Sequence, residues 1–213
     1  ESTALSLFEN HSLDLLQRIS SFEVTRLRQI GKVRNFPFFA TYYLAFNVKK
    51  PPFRDRELRK RVAAFFNGPR SVTVKNDLIQ ILGTGDRAAY SWIPFGLEGY
   101  FAEPLNIPTP PGKSVFPPGI EMRFDSGQRN QTIAEKIQAD MKRELGLDVQ
   151  LQSLEWKSYV KLMHADTPPI YRFGWMAPFA DPITHLKVFV SGGDNNHSGY
   201  SNPEYDKLVE QID

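Results

Sequence analysis

Cysteine is absent from this chain of 213 residues. Its absence excludes a disulfide framework, a thiolate nucleophile, an iron–sulfur cluster and any zinc site with cysteine ligands. No stretch approaches the roughly 18 consecutive apolar residues that a membrane helix needs. A large excess of one charge is missing too, since 26 Lys and Arg face 24 Asp and Glu, which gives no argument for a nucleic-acid stripe or a polybasic anchor. What is left is a globular module with enough residues for a sizeable core.

The common enzyme motifs are also missing. The chain has no G-x-S-x-G elbow, no phosphate-binding loop ending in Lys-Ser or Lys-Thr, and no H-E-x-x-H pair. Gly83-Thr84-Gly85 lacks the third glycine of a dinucleotide fingerprint. We therefore predict a protein without catalysis and without a cofactor.

The histidines are scattered along the chain, and no two of them stand four residues apart as a preformed metal site on one helix would require. A metal site would need His185, His197 and Asp194 to meet in three dimensions. Solvated histidines on loops and helix faces are the more frequent outcome, so we predict no metal.

Periodic patterns predict a mixed α/β fold. Apolar spacing and end signals predict helices over residues 55–67, 131–145 and 156–164, with a further one beginning at Asn202-Pro203. Thr132 and Glu135 are spaced as a capping box for the second of these helices. Strand-like runs cover residues 41–46, 120–124, 149–154 and 170–175. Strand, helix and strand over residues 120–154 predict a βαβ unit, and thus helices packed on a sheet.

Two segments allow more than one interpretation. Residues 94–118 hold seven of the 16 prolines, and they are either a partner-recognition segment or, as we favour, a surface connection stiffened by proline. Residues 54–61 read RDRELRKR, which suits nucleic acid but is more often the solvated face of an amphipathic helix. The chain opens without Met and stops within a predicted helix, so we expect a lobe of a longer protein, the alternative being a natural terminus that frays.

Aromatic and polar residues alternate after the last predicted strand. A strand ending in Arg172-Phe173-Gly174-Trp175 and turning through Pro178 would present one cation, an indole and free backbone amides. Arg172 would offer a fork to a carboxylate, and Gly174 would let a ligand backbone approach closely. Alternatively, the aromatic side chains fill a core and Arg172 is a surface residue.

Several segments together resemble one family. An aromatic-rich strand ends in Phe46-Asn47, a turn reads KPPFRD over residues 50–55, and the next helix opens with Leu58-Arg59-Lys60. The match continues through Ile133-Ala134, residues 145–149, Glu155-Trp156, Gly174-Trp175, Asp181-Pro182, Asn195-Asn196, Tyr200 and Tyr205-Asp206. In order and spacing, from about Ala4 to Ile212, the chain resembles the extracytoplasmic solute-binding proteins of family 5, which serve ABC importers of oligopeptides, dipeptides, nickel and haem.

The resemblance implies a two-lobed fold of the type II periplasmic-binding-protein kind, oligopeptide-binding subclass. Residues 1–213 would be its second, C-terminal lobe, with residues 94–118 as an excursion within it. The implied partners are a peptide-like solute, the membrane subunits of an ABC importer and the first lobe of the same chain, with no nucleic acid. The implied location is periplasmic or extracytoplasmic, with a lipoprotein anchor in some members.

The resemblance also implies a ligand site. The expected ligand-binding residues are Arg172, Phe173, Gly174, Trp175, Met176, Pro178, Phe179 and Asn130. The ligand backbone would pair with the main chain near residues 174–176. Two features depart from the family: Pro178 stands where peptide binders commonly carry the Asp that pairs with the peptide α-amino group, and residues 94–118 replace a longer segment. The same fold also serves as the sensing domain of cytoplasmic transcription regulators, and we keep this as the alternative function.

Overall fold

The computed structural model describes residues 2–17, 19–36, 38–112 and 115–212. Four strands form one mixed sheet in the order β1-β4-β2-β3. They are β1 (Ala40–Phe46), β2 (Ile120–Asp125), β3 (Val149–Leu154) and β4 (Ile170–Met176). Strand β4 is antiparallel to β1, whereas β2 is parallel to both β3 and β4. All four predicted strands and the βαβ unit are thereby confirmed.

Helices flank the strands. They are α1 (Ser2–Glu9), α2 (Ser21–Gln29), α3 (Arg56–Asn67), α4 (Ser71–Leu82), α5 (Gln128–Asp140), α6 (Trp156–Ala165), the short α7 (Ile183–Leu186) and α8 (Pro203–Gln211). The predictions of α3, α5, α6 and α8 are confirmed, and side chains cap three of them. The Glu155 carboxylate caps α6 by accepting the Lys157 N–H at 2.9 Å. The Asp55 carboxylate accepts a hydrogen bond from the Glu57 N–H at 2.8 Å, and the Asn202 side chain accepts one from the Glu204 N–H at 3.0 Å.

The predicted capping box at Thr132 and Glu135 is wrong. Helix α5 begins three residues earlier, at Gln128, because Gly127 adopts φ 147° and turns the chain sharply from β2 into the helix. Thr132 therefore lies inside the helix and donates its hydroxyl hydrogen to the Gln128 carbonyl at 3.1 Å. The predicted helical run does reach Leu145, but its last five residues (Met141–Leu145) form a π-helical turn that ends at Gly146.

Each face of the sheet packs against helices. Strand β2 alternates buried and half-buried residues, and its Met122 and Phe124 join the main core with Ala134 and Ile137 of α5. The opposite face carries a smaller cluster in which Tyr171 of β4 packs on α6. Alternation along β2 therefore points Met122 and Phe124 to the well-covered face and the half-buried residues to the other face. Among the described residues, no helix combines the length and the apolar character needed to cross a membrane.

The proline-rich excursion has no helix or strand in its described part, and residues 113 and 114 lie outside the described residues. Side-chain hydrogen bonds to its main chain fix it to the fold: Arg61 Nη2 donates to the carbonyl oxygens of Pro110 and Pro111 at 2.8 and 3.0 Å. Arg59 likewise donates to the carbonyl oxygen of Arg54 at 3.0 Å. Part of the basic run therefore serves to hold loops in place.

Candidate ligand-binding site

Strand β4 runs beyond its neighbour β2. It pairs with β1 along all seven of its residues, but with β2 only at Ile170 and Tyr171. The second half of β4 therefore has a strand on one side only, among the residues that the structure describes. This free side lies at the carboxyl ends of two parallel strands, where ligands bind in open α/β sheets.

The backbone groups on this free side follow from the pairing with β1. Ala177 donates its N–H to the Phe39 carbonyl at 2.9 Å, so the odd-numbered residues of β4 face β1. Alternation along the strand then points the N–H and C=O groups of Gly174 and Met176 to the free side. We call these groups of Gly174 and Met176 the free β4 edge.

Arg172, also on β4, is engaged within the protein. Its Nη1 donates to Asp125 Oδ1 at 2.7 Å, and the side chain is only 10% exposed. The second carboxylate oxygen of Asp125 accepts from Asn130 Nδ2 at 2.8 Å. Two predicted residues, Arg172 and Asn130, thus converge on Asp125, which sequence reasoning missed although it directly follows a predicted strand.

Tyr42 lies over this group of charges. Its ring is 4.7 Å from the Arg172 guanidinium carbon and 5.5 Å from that of Arg129, which pairs with Asp86 at 2.8 Å. The same ring lies against Gly174, where an added Cβ would come within 2.6 Å of two ring carbons. The close approach predicted at Gly174 is occupied by Tyr42 on this face of the sheet.

The aromatic residues of β4 lie on the opposite face. The Phe173 ring stacks on that of Trp156, with centroids 5.9 Å apart, and contacts Tyr43 at 6.4 Å. Trp175 Nε1 is buried and has no acceptor among the described residues. A buried donor without an acceptor is rare in proteins, which makes this indole N–H a candidate donor to a ligand.

The turn after β4 is more exposed. Met176 and Phe179 are 55% and 60% exposed, and Pro178 lies between them in chain order. Asp181 follows, and its Oδ1 accepts the Ile183 N–H at 2.8 Å, so this carboxylate caps α7. No hydrogen bond, ion pair or ring interaction joins Pro178 or Phe179 to Arg172 or Asn130 in the described structure.

The histidines do not meet as a metal site would require. The His197 ring contacts His164, with centroids 4.8 Å apart, whereas His185 is fully buried beside Trp92. Within the described ranges, no three His, Asp or Glu side chains cluster as metal ligands would. Burial lowers the pKa of His197, and the neighbouring His164 lowers that pKa further.

A separate groove of about 550 Å³ lies away from the free β4 edge. Its floor is mainly apolar, with Phe46 and Phe189, and the basic side chains of Arg56 and Lys60 line it. None of the predicted ligand-binding residues lines this groove. The candidate site therefore rests on the free β4 edge and its surroundings.

The chain is similar in sequence to known proteins. Residues 119–197 match the family described as bacterial extracellular solute-binding proteins, family 5 Middle. The periplasmic murein peptide-binding protein MppA of Escherichia coli is 29% identical over 199 residues, covering 85% of this chain and 36% of that protein. The oligopeptide-binding protein OppA of Bacillus subtilis is 27% identical, covering 99% of this chain and 42% of that protein.

Solved structures show the same fold. The unliganded open form of MppA superposes with a TM-score of 0.75 at 25% identity, covering 99% of this chain and 43% of that one. Haemophilus influenzae OppA in complex with the peptide RPPGFSPFR gives a TM-score of 0.80 at 24% identity, covering 99% of this chain and 44% of that one. The chain spans about two fifths of the length of the curated relatives described above.

Proposed function

Because the chain belongs to family 5 of the bacterial extracellular solute-binding proteins, we propose that it binds a peptide or peptide-like solute for an ABC importer. The family consists of binding proteins, not enzymes. In this proposal residues 1–213 form one lobe, and the solute lies in a cleft between this lobe and another. The observation that carries the proposal is the free β4 edge, a strand with unpaired backbone groups at the carboxyl end of a sheet.

An extended peptide would extend the sheet at this edge. Gly174 and Met176 offer two N–H donors and two C=O acceptors at the spacing of a strand, which an extended main chain matches residue for residue. Such pairing reads backbone shape rather than side chains. Trp175 Nε1 adds a buried donor that still lacks an acceptor. Arg172, Phe173, Phe179 and Asn130 complete the proposed surface.

The residues of the proposed site offer few counter-ions to the charged ends of a peptide. Pro178 carries no carboxylate, and Asp181 is used to cap α7. Arg172 is paired with Asp125. Burying an ammonium without its counter-ion costs a few kcal/mol. We therefore propose that the preferred ligand is a blocked peptide or an internal stretch of a longer one.

Partners and location follow as proposals from the relatives. MppA and the Salmonella and E. coli OppA proteins are described as periplasmic, so we place this protein outside the cytoplasmic membrane. Its protein partners would be the membrane subunits of the importer and the other lobe of its own chain. The alternative, a sensor domain of a transcription regulator, gains no support from these relatives.

The test uses the full-length protein, unfolded and refolded to remove carried-over ligand. Thermal shifts are recorded against free peptides, N-acetylated peptides, nickel chelates and haem. A ligand at 100 times its Kd adds about 2.7 kcal/mol to stability, which is readily seen. Blocked peptides should stabilise the protein, and Arg172→Ala and Trp175→Ala should remove the effect. If both variants show the same thermal shift as the unmutated protein, the proposed site is wrong. If no peptide shifts the unmutated protein, the proposed function is wrong.

A further inference from the structure

Asp125 binds the guanidinium of Arg172, the cation that a ligand carboxylate would otherwise contact. It is the last residue of β2, and its Oδ1 lies 2.7 Å from Nη1 of Arg172 on the neighbouring strand. Asn130 holds the carboxylate from the other side, since its Nδ2 lies 2.8 Å from Oδ2 and 3.1 Å from the Asp125 carbonyl oxygen. With both oxygens bound, the carboxylate is fixed toward Arg172.

The ion pair lies mostly out of water. The side chains of Arg172 and Asp125 are 10% and 20% exposed, so their charges interact more strongly than at a free surface. The Tyr42 ring covers the guanidinium at 4.7 Å and restricts its movement. A ligand carboxylate reaching Arg172 would have to displace Asp125 or lie beside it, and two like charges at that distance repel.

We propose that Asp125 determines the charge preference of the cleft. It cancels the charge of Arg172, so the site favours a neutral peptide segment over one with a carboxylate at this position. The inference deepens the proposed function and rests on it. Asp125 would act through Arg172 and would not itself contact the ligand backbone.

The test measures selectivity directly. Full-length protein is mixed with a pool of N-acetylated hexapeptides, half ending in a free carboxylate and half in a carboxamide. The amounts of the two kinds of retained peptide are then compared by mass spectrometry. Asp125→Asn keeps the shape of the side chain but leaves the guanidinium without a counter-ion. We expect the ratio of acid to amide peptides to rise at least tenfold over that of the unmutated protein.

Two further variants distinguish the loss of the Asp125–Arg172 ion pair from the loss of any one carboxylate charge. Asp86→Asn also removes one carboxylate charge. Asp86 pairs with Arg129, the other guanidinium near the Tyr42 ring, and its substitution should change the ratio less than threefold. Asp125→Asn combined with Arg172→Gln leaves no unpaired charge and should lose the preference for acids. An unchanged ratio in Asp125→Asn, or an acid preference that survives the double substitution, overturns the inference.

A second measurement needs no peptide. Formate should raise the thermal midpoint of Asp125→Asn by several degrees over chloride at equal ionic strength, and leave the unmutated protein unchanged. If formate rescues the variant while the unmutated protein retains no peptide, the role of Asp125 stands and the peptide function falls. If Asp125→Asn alone does not fold, recovery of folding on adding Arg172→Gln supports the inference, and an unfolded double variant overturns it.

Discussion

The hydroxyl of Tyr159 donates to the carbonyl of Arg172 at 2.6 Å, at the point where β2 stops pairing with β4. The same oxygen lies 3.1 Å from the carbonyl of Arg123, on β2. One side chain of α6 thus joins the two strands where their own ladder ends. The fully buried Tyr159 ring also contacts the Phe173 ring, with centroids 5.9 Å apart, which ties the free half of β4 to the core.

Tyr159→Phe should lower the free energy of unfolding by about 1–3 kcal/mol, because it leaves the buried carbonyl oxygen of Arg172 without this donor. Chemical denaturation measures the loss. Tyr43→Phe is the matched control, since Tyr43 packs in the same cluster and its hydroxyl has no hydrogen bond to a described residue. Equal losses in the two variants would contradict the role assigned to the Tyr159 hydroxyl.

Trp92→Phe should lower the stability of the protein, whereas Trp175→Phe should weaken ligand binding. Trp92 Nε1 donates to the His185 carbonyl at 2.7 Å, whereas Trp175 Nε1 has no acceptor in the described structure. Losing a satisfied hydrogen bond costs about 0.5–1.5 kcal/mol, so Trp92→Phe should be the less stable variant by about that amount. Trp175→Phe should instead weaken binding of a stabilising peptide, which titration calorimetry measures. Unweakened binding by Trp175→Phe would show that the ligand does not use this donor.

Gly174→Ala should destabilise the protein by about 1–3 kcal/mol, because its Cβ would lie 2.6 Å from ring carbons of Tyr42. In a Tyr42→Ala background the same change should be neutral or slightly stabilising, since alanine restricts the unfolded chain more than glycine does. Urea denaturation of the four proteins gives the coupling between the two positions. Additive effects would show that the contact is not what excludes a side chain at residue 174.

Stability should fall as the pH drops below about 6.5. Burial lowers the pKa of His185 and of His197 from the ordinary 6.5, so the unfolded chain takes up these protons first and is favoured as the pH falls. His197→Gln should flatten the dependence of the free energy of unfolding on pH between 7 and 5. His11→Gln, at an exposed position, is the control.

Local patterns predicted much of the fold. The four strands and the helices α3, α5, α6 and α8 have strong periodicity or clear end signals, such as Asn202-Pro203 before α8. Helix α4 was missed because its sequence, SVTVKNDLIQIL, mixes β-branched residues with a weak apolar stripe. The capping box was misplaced because the start of α5 is set by Gly127, and not by the nearest Thr and Glu.

The site was predicted less completely. The resemblance pointed to Arg172 and Asn130, but it did not indicate that both bind Asp125, since that contact joins residues 47 positions apart. The histidines show the same limit. A metal site would need His197 beside His185, whereas the fold brings His197 to His164. Helix α6 and the loop before α8 are separate in sequence and meet only in the folded chain.

The free β4 edge has a consequence for the protein without its ligand. An unpaired strand with exposed apolar residues such as Met176 is a template for a strand of another molecule, and charged or proline residues usually guard such edges. Pro178, two positions after the strand, limits how far any added strand can extend. Concentrated ligand-free protein should therefore form oligomers that a saturating peptide disperses, so that the solute would also act as a guard against aggregation.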